Sequence, residues 1–289
     1  QTPVLAHFRE RMNLDESATM FDLIKATELP LELHKPIVDY CRRKSIPFFS
    51  TPFDLGSVDF LSQFDPPAYK VASFEMTHFP LLERVAATGR PVILSTGMSN
   101  LGDIEKALTQ LDNGGGTEII LLHCVSNYPA KPADYNLRVI ETLKRAFGLP
   151  VGISDHTPGI ETALVAVAAG ADIVEKHITV DQGLPGPDHH FSLTPPELKE
   201  LVSGVHRVDS MLGMPYKRCT PAEVEMRHIG RRSLVAAKEI RKGEVIANDM
   251  LAVKRPGSGL HPEFAEFLLG ARVKEDIKSD TPLTWAMFL

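Results

Sequence analysis

The chain has 289 residues, 43% of them hydrophobic and 24% charged, enough for one large domain and a small one and unlike disordered or fibrous sequences. The formal net charge of −6 without any Lys/Arg block argues against nucleic acid as a partner. No apolar run approaches the roughly 20 residues of a membrane span.

In chain order, the stretch 1–27 shows no clear strand. Leu33, Ile37 and Cys41 recur at helical spacing, and the helix ends in the basic pair Arg42-Arg43. The apolar run 46–51 is predicted to be a buried strand. Further strands are predicted at 68–73, 91–96, 118–125, 151–154 and 171–177, with helical periodicity between them, as in Ile104, Leu108 and Leu111. A helix is predicted over 195–212, because Thr194-Pro195-Pro196-Glu197 is a capping-box pattern with proline at the first helical position.

Strands alternating with helices at about 20 to 30 residues per unit imply a parallel sheet. Six such units fit between 46 and 212. Their short apolar strands imply burial on both faces. The fold class is therefore α/β, and a TIM (β/α)₈-type barrel is preferred over an open doubly wound sheet. Nearly every strand ends in a reactive residue: Thr51, Ser73 with Glu75, Ser95 with Thr96, Ser126, Ser154 with His156, and His177. Barrels gather their sites at several strand C-termini, whereas open sheets use one switch point. The domains read as a barrel over 1–213, a polar linker over 214–229 and a small β-rich domain over 230–289. Lys242-Gly243-Glu244 and Pro256-Gly257-Ser258-Gly259 are turn signals within the last.

Cys41, Cys124 and Cys219 are odd in number and widely spaced, with no CxxC pair. That excludes a cysteine zinc site, argues against a disulfide framework and points to a reducing compartment. No signal peptide opens the sequence, so the expected location is cytoplasmic.

His156 and His177 form the strongest constellation. Each follows a predicted strand, and one crossover helix links the two strands, so both lie at neighbouring C-terminal ends, near enough to share a metal. Imidazole suits Mn, Zn, Co or Fe. A lone histidine would more simply cap its strand; two at matched ends favour the metal. Asp188, in the turn-rich loop Leu184-Pro185-Gly186-Pro187-Asp188, is placed to accept sugar hydroxyls or metal-bound water, or else is a solvated turn residue. Lys70 in a buried strand needs a partner. Either a phosphate supported by Thr51, Ser95 and Ser154 fills that role, or Glu75 braces Lys70 in an ion pair. Glu75 near a reacting centre is suited to proton handling. Arg255, before a rigid Pro-Gly turn, is placed to be presented to a ligand, whereas Arg231-Arg232 reads as surface charge.

These motifs together resemble a known family, the N-acetylneuraminate (sialic acid) synthases with their legionaminate, pseudaminate and spore-coat polysaccharide relatives. The resemblance rests on Phe49-Ser50-Thr51-Pro52-Phe53, Tyr69-Lys70-Val71-Ala72-Ser73-Phe74-Glu75, Leu94-Ser95-Thr96-Gly97-Met98 and Leu122-His123-Cys124. It continues through Asn127-Tyr128-Pro129-Ala130, Ser154-Asp155-His156-Thr157, Glu175-Lys176-His177, Pro185-Gly186-Pro187-Asp188 and Lys254-Arg255-Pro256-Gly257. It implies a TIM barrel joined to a C-terminal SAF (antifreeze-like) β-clip domain, in a domain-swapped homodimer. It implies a transferase that condenses phosphoenolpyruvate with an N-acyl amino-sugar aldehyde and releases phosphate. By motif position, His156 and His177 would hold a divalent metal, usually Mn, with Mg or Co as substitutes. Lys70, Thr51, Ser73, Ser95, Ser154 and Ser126 would bind phosphoenolpyruvate. Tyr128, Glu75 and Asp188 would serve the sugar and the protons, and Arg255 would reach across the dimer to the N-acyl group.

Two departures qualify the match. The family's barrel opens with strands reading like Ala-Glu-Ile-Gly-x-Asn-His and Val-Lys-Phe-Gln, which this sequence lacks. The expectation is a trimmed chain whose barrel misses its first two strands, weakly active and poorly stable alone. Phe74 resembles the pseudaminate type, while His123-Cys124 and Gly186-Pro187-Asp188-His189 resemble the sialate and legionaminate types, so the sugar stays open. Two other readings compete: a Schiff-base aldolase using Lys70, and a non-catalytic scaffold or binding protein.

Overall fold

Helices alternate with short strands along the first 213 residues, each helix returning the chain to start the next strand parallel to the last. The computed structural model describes residues 2, 4, 9, 12, 15–116 and 118–288 and divides into two units, 1–213 and 214–289. The first contains helices α1 (Met20–Thr27), α2 (Leu31–Arg43) and α3 (Leu55–Ser62), then strand β1 (Tyr69–Val71). There follow α4 (Phe79–Ala86), β2 (Val92–Ser95), α5 (Leu101–Asn113), β3 (Ile119–Cys124), α6 (Val139–Phe147), β4 (Val151–Asp155), α7 (Glu161–Ala168), β5 (Val174–Lys176) and α8 (Pro195–Leu212).

All five strands are parallel, and their order in the sheet is their order in the chain. The order never reverses, so these residues form no switch point; this is the winding of a barrel sheet. A single parallel bridge, Ile178 to Leu193, extends the ladder beyond β5. The faces divide by alternation. Tyr69, Val71, Val92, Leu94, Leu121, Val151 and Ile153 join the helices' apolar residues in one core. The intervening positions, Lys70, Ser95, Leu122, Cys124 and Ser154, line the opposite face.

The predicted start of α8 is present, with Thr194 and Glu197 closing a capping box through bonds of 2.6 and 2.7 Å. The predicted strand at 46–51 is not a strand: the run forms no ladder among the described residues. Its apolar side chains meet solvent instead, with Ile46 61% and Phe49 37% exposed. Apolar character marks a segment for burial, but a strand exists only where a neighbour accepts its backbone bonds. Among the described residues of this unit, five strands therefore stand where six were predicted.

The second unit opens with the segment read as a linker, which in fact carries a capped turn at Thr220 and helix α9 (Val224–Gly230). Beyond it, β6 (Ser233–Ala236) pairs antiparallel with β7 (Leu251–Lys254), helix α10 spans Ala265–Leu268, and isolated bridges tie the remaining short runs together. This unit has its own core, including Leu234, Ile240, Leu268, Val273, Ile277 and Leu283. The three cysteines are free thiols. Among the described residues, no helix is long and apolar enough to cross a membrane.

Candidate active site

Parallel strands in chain order bring all their C-terminal ends to one edge, and the chemistry collects there. At its base sits Lys70 on β1, 8% exposed. Its Nζ donates to Ser95 Oγ of β2 at 2.7 Å and to the Val71 carbonyl at 3.1 Å. Glu175 Oε2 of β5 lies 3.7 Å away. Burial lowers the Lys70 pKa from the usual lysine value, and the Glu175 carboxylate opposes the shift. Glu75 does not brace Lys70. Glu75 ends the short 3₁₀ turn after β1 and pairs with His78, three residues on, at 3.0 Å. Lys70 instead projects across the sheet, where Ser95 and Glu175 meet it.

Around this ammonium lies a floor of small polar groups. Ser73 Oγ accepts from the Gly97 backbone N–H at 2.9 Å. Cys124 sits among Ser73, Ser126 and Ser154, and burial pushes its thiol pKa up, so it stays neutral. Ser126 Oγ is buried without a hydrogen-bond partner. A buried hydroxyl left unmatched is costly, and an anion's oxygen would satisfy it. Gly97 opens the space: a Cβ there would lie 2.9 Å from Ser73 Oγ, 3.3 Å from Cys124 Sγ and nearest of all to Ser126 Oγ.

Beside the floor stand the two histidines. The ring centroids of His156 and His177 are 5.2 Å apart. His156 Nδ1 lies 2.8 Å from the Val125 carbonyl, an acceptor, so that nitrogen carries the proton and Nε2 keeps its lone pair. Burial lowers the pKa of both imidazoles; the Val125 carbonyl opposes this for His156, and Asp188 and Glu175 oppose it for His177. Both are therefore neutral at neutral pH, the form that ligates metals. Tyr128 packs against His156 with ring centroids 4.1 Å apart. Burial raises its phenol pKa, so it stays protonated. Asp188 Oδ2 lies 3.8 Å from His177 Nδ1.

The halves meet at Ser154. Its hydroxyl donates to Glu175 Oε1 at 2.6 Å and lies 3.4 Å from His156 Nε2. The predicted residues thus brought together are Lys70, Ser73, Ser95, Ser126, Ser154, Tyr128, His156, His177 and Asp188. Thr51 stays in the unpaired run 46–51 and does not bond Lys70. Arg255 belongs to the second unit, where its Nε donates to the Gly230 carbonyl at 2.9 Å. Glu175, Gly97 and Cys124 are site residues that the sequence reading missed. Glu175 was within reach of it: positions 175 and 177 share a strand face, as do 154 and 156.

Among the described residues, no group of three or more His, Cys, Asp or Glu side chains is arranged to hold a metal ion. Two neutral imidazoles, one of them His156 with its Nε2 lone pair unprotonated, fit a divalent ion whose other positions come from substrate or water. The residues present fit such a group as a two-histidine site.

Residues 4–217 match the NeuB family and residues 231–289 match the SAF domain. Over 92% of its length the chain is 41% identical to N,N'-diacetyllegionaminic acid synthase of Campylobacter jejuni subsp. jejuni, covering 80% of that protein. Over 93% of its length it is 40% identical to the spore coat polysaccharide biosynthesis protein SpsE of Bacillus subtilis, covering 78% of it. The crystal structure of Bacillus subtilis spsE is similar over 100% of this chain and 85% of that one, with a TM-score of 0.63 and 39% identity.

Proposed function

This chain belongs to the NeuB family, and from that premise we propose that it is a nonulosonic acid synthase, a transferase joining phosphoenolpyruvate to an N-acyl amino-sugar aldehyde. The observation that carries the reading is Ser154, whose hydroxyl touches both Glu175 of the anion floor and His156 of the imidazole pair. A phosphate-binding lysine and a metal-binding pair that close to each other suit a reaction between an anionic enol ester and a carbonyl.

In this reading Lys70, Ser73, Ser95, Ser126 and Ser154 bind phosphoenolpyruvate. Its oxygens satisfy the unpartnered Ser126 hydroxyl and take over Lys70 from Glu175. His156 and His177 would hold the divalent ion, Mn in the first instance, which supplies Lewis-acid polarisation of the aldehyde oxygen. C3 of phosphoenolpyruvate then bonds to the aldehyde carbon, whose oxygen takes up a proton. Water adds at C2 and loses a proton, and phosphate then leaves with C–O cleavage as the new C2 hydroxyl passes its proton to it, giving a nine-carbon 2-keto acid. Tyr128 fixes the His156 ring by packing. Asp188, beside His177, faces the sugar hydroxyls, and Glu75, paired with His78 at the turn after β1, is assigned the proton handling by its motif position. Arg255 binds the N-acyl group from the partner chain of a homodimer.

The test is phosphate release from phosphoenolpyruvate with Mn(II) and a panel of 2-acetamido and 2,4-diacetamido hexoses. Release that requires one of these sugars is the expected result. No release with any sugar, or borohydride trapping of pyruvate on Lys70, would contradict it, the latter in favour of an aldolase.

A further inference from the structure

Behind the two histidines lies a pair of charges that the proposed reaction does not use. Asp155 and Lys176 are cross-strand neighbours on β4 and β5. Their side chains are 0% and 3% exposed, with Lys176 Nζ 2.7 Å from Asp155 Oδ2. Ser154 and His156 share the face on which Ser154 meets Glu175, so Asp155 between them points to the other face. There Asp155 Oδ1 accepts from the Thr157 N–H at 2.8 Å and from Thr157 Oγ1 at 2.7 Å. Lys176 Nζ also donates to the Thr157 carbonyl. The residues on both sides of His156, Asp155 through its carboxylate and Thr157 through its carbonyl, are thus tied to one ammonium, and that ammonium belongs to the residue preceding His177.

Stability alone does not account for these charges. Desolvation offsets the attraction of a buried ion pair, and apolar residues of similar volume hold a core as well or better. The neighbours of Asp155 on that face, Val151 and Ile153, are such apolar residues. What charge adds is direction: each bond has one partner and one geometry, and all of them converge on the two strand ends that carry the imidazoles. We propose that Asp155, Lys176 and Thr157 are positioning residues that set the spacing of His156 and His177 for a single divalent cation.

The inference rests on the metal reading above, and its test keeps the two apart. Mn(II) alone is titrated into the full chain by calorimetry, and the bound ion is followed by its EPR spectrum. The apolar double variant Asp155→Val/Lys176→Met is expected to melt no lower than the parent while its Mn(II) Kd rises about tenfold or more, as for other partners of metal-ligating histidines. Lys176→Arg, which keeps the charge, should recover most of that loss. Thr157→Val loses one hydroxyl and should raise Kd roughly threefold, the worth of one hydrogen bond. It decides the matter if the double variant does not fold. Unchanged Mn(II) Kd and spectrum in the folded double variant, or in Thr157→Val should the double variant not fold, would overturn the inference. A parent chain that binds no Mn(II), or His156→Ala/His177→Ala binding it as the parent does, would instead overturn the metal reading beneath it.

Discussion

Lys70 is the cation of the proposed phosphoenolpyruvate site, and its burial sets a pH window. Its pKa is lowered from 10.5, first by desolvation. It attracts an anion only while protonated, so affinity is full at neutral pH and is lost as pH rises through the lowered pKa, earlier than for an ordinary lysine. The Kd for phosphoenolpyruvate should therefore rise toward pH 10, and Lys70→Met should bind weakly at every pH without that rise. A flat profile in the parent chain would detach Lys70 from the anion. Gly97 acts through the side chain it lacks, since any Cβ crowds Ser73, Cys124 and Ser126. Gly97→Ala should weaken phosphoenolpyruvate binding about tenfold with the fold intact by circular dichroism; an unchanged Kd would show that the anion lies elsewhere. At this scale the imidazole pair and Lys70 are legible in the sequence, because histidines at strand ends and a lysine in an apolar strand are each out of place. The partner of Lys70 is not. Glu75 is near it in sequence, whereas Glu175 reaches it only through the order of the sheet.

At the scale of elements, five of the predicted strands and helix α8 are legible from apolar runs and from the Thr194/Glu197 capping box. The run 46–51 misleads because apolar content records what a segment would bury, while a strand is defined by its neighbour's hydrogen bonds. Closeness between strands also has a sequence cost that periodicity does not reveal. A Cβ at Gly152 of β4 would lie 2.8 Å from Leu122 Cδ2 and 3.0 Å from the Ile173 carbonyl carbon, with the Ile173 oxygen nearer still. Backbone cannot swing aside as a side chain does. Gly152→Ala should cost about 1–3 kcal/mol through overpacking and lower Tm by several degrees. It should also disturb the β4–β5 edge that carries both histidines. A Tm equal to that of the parent would show that β5 yields more easily than its contacts imply.

For the whole molecule, the two units have separate cores. The Pro-Gly turn after Arg255 marks it in the sequence as an arginine presented to a ligand, but periodicity and charge do not say which ligand. The N-acyl role is the one that the family resemblance implies. If it binds the N-acyl group, Arg255→Ala should raise KM for the sugar about tenfold, the worth of a charged hydrogen bond, and leave KM for phosphoenolpyruvate unchanged. Equal effects on both would assign it a general structural role. Binding by the partner's Arg255 also requires a dimer in sedimentation equilibrium. If the floor around Lys70 and the imidazole pair form one site, a metal ion on the histidines senses an anion on the lysine, and Mn(II) EPR reads this. Saturating phosphoenolpyruvate should change the spectrum of Mn(II) bound to the parent chain and leave it unchanged in Lys70→Met, while His156→Ala/His177→Ala should bind no Mn(II). A spectrum indifferent to phosphoenolpyruvate in the parent chain would show that the lysine and the histidines belong to separate sites.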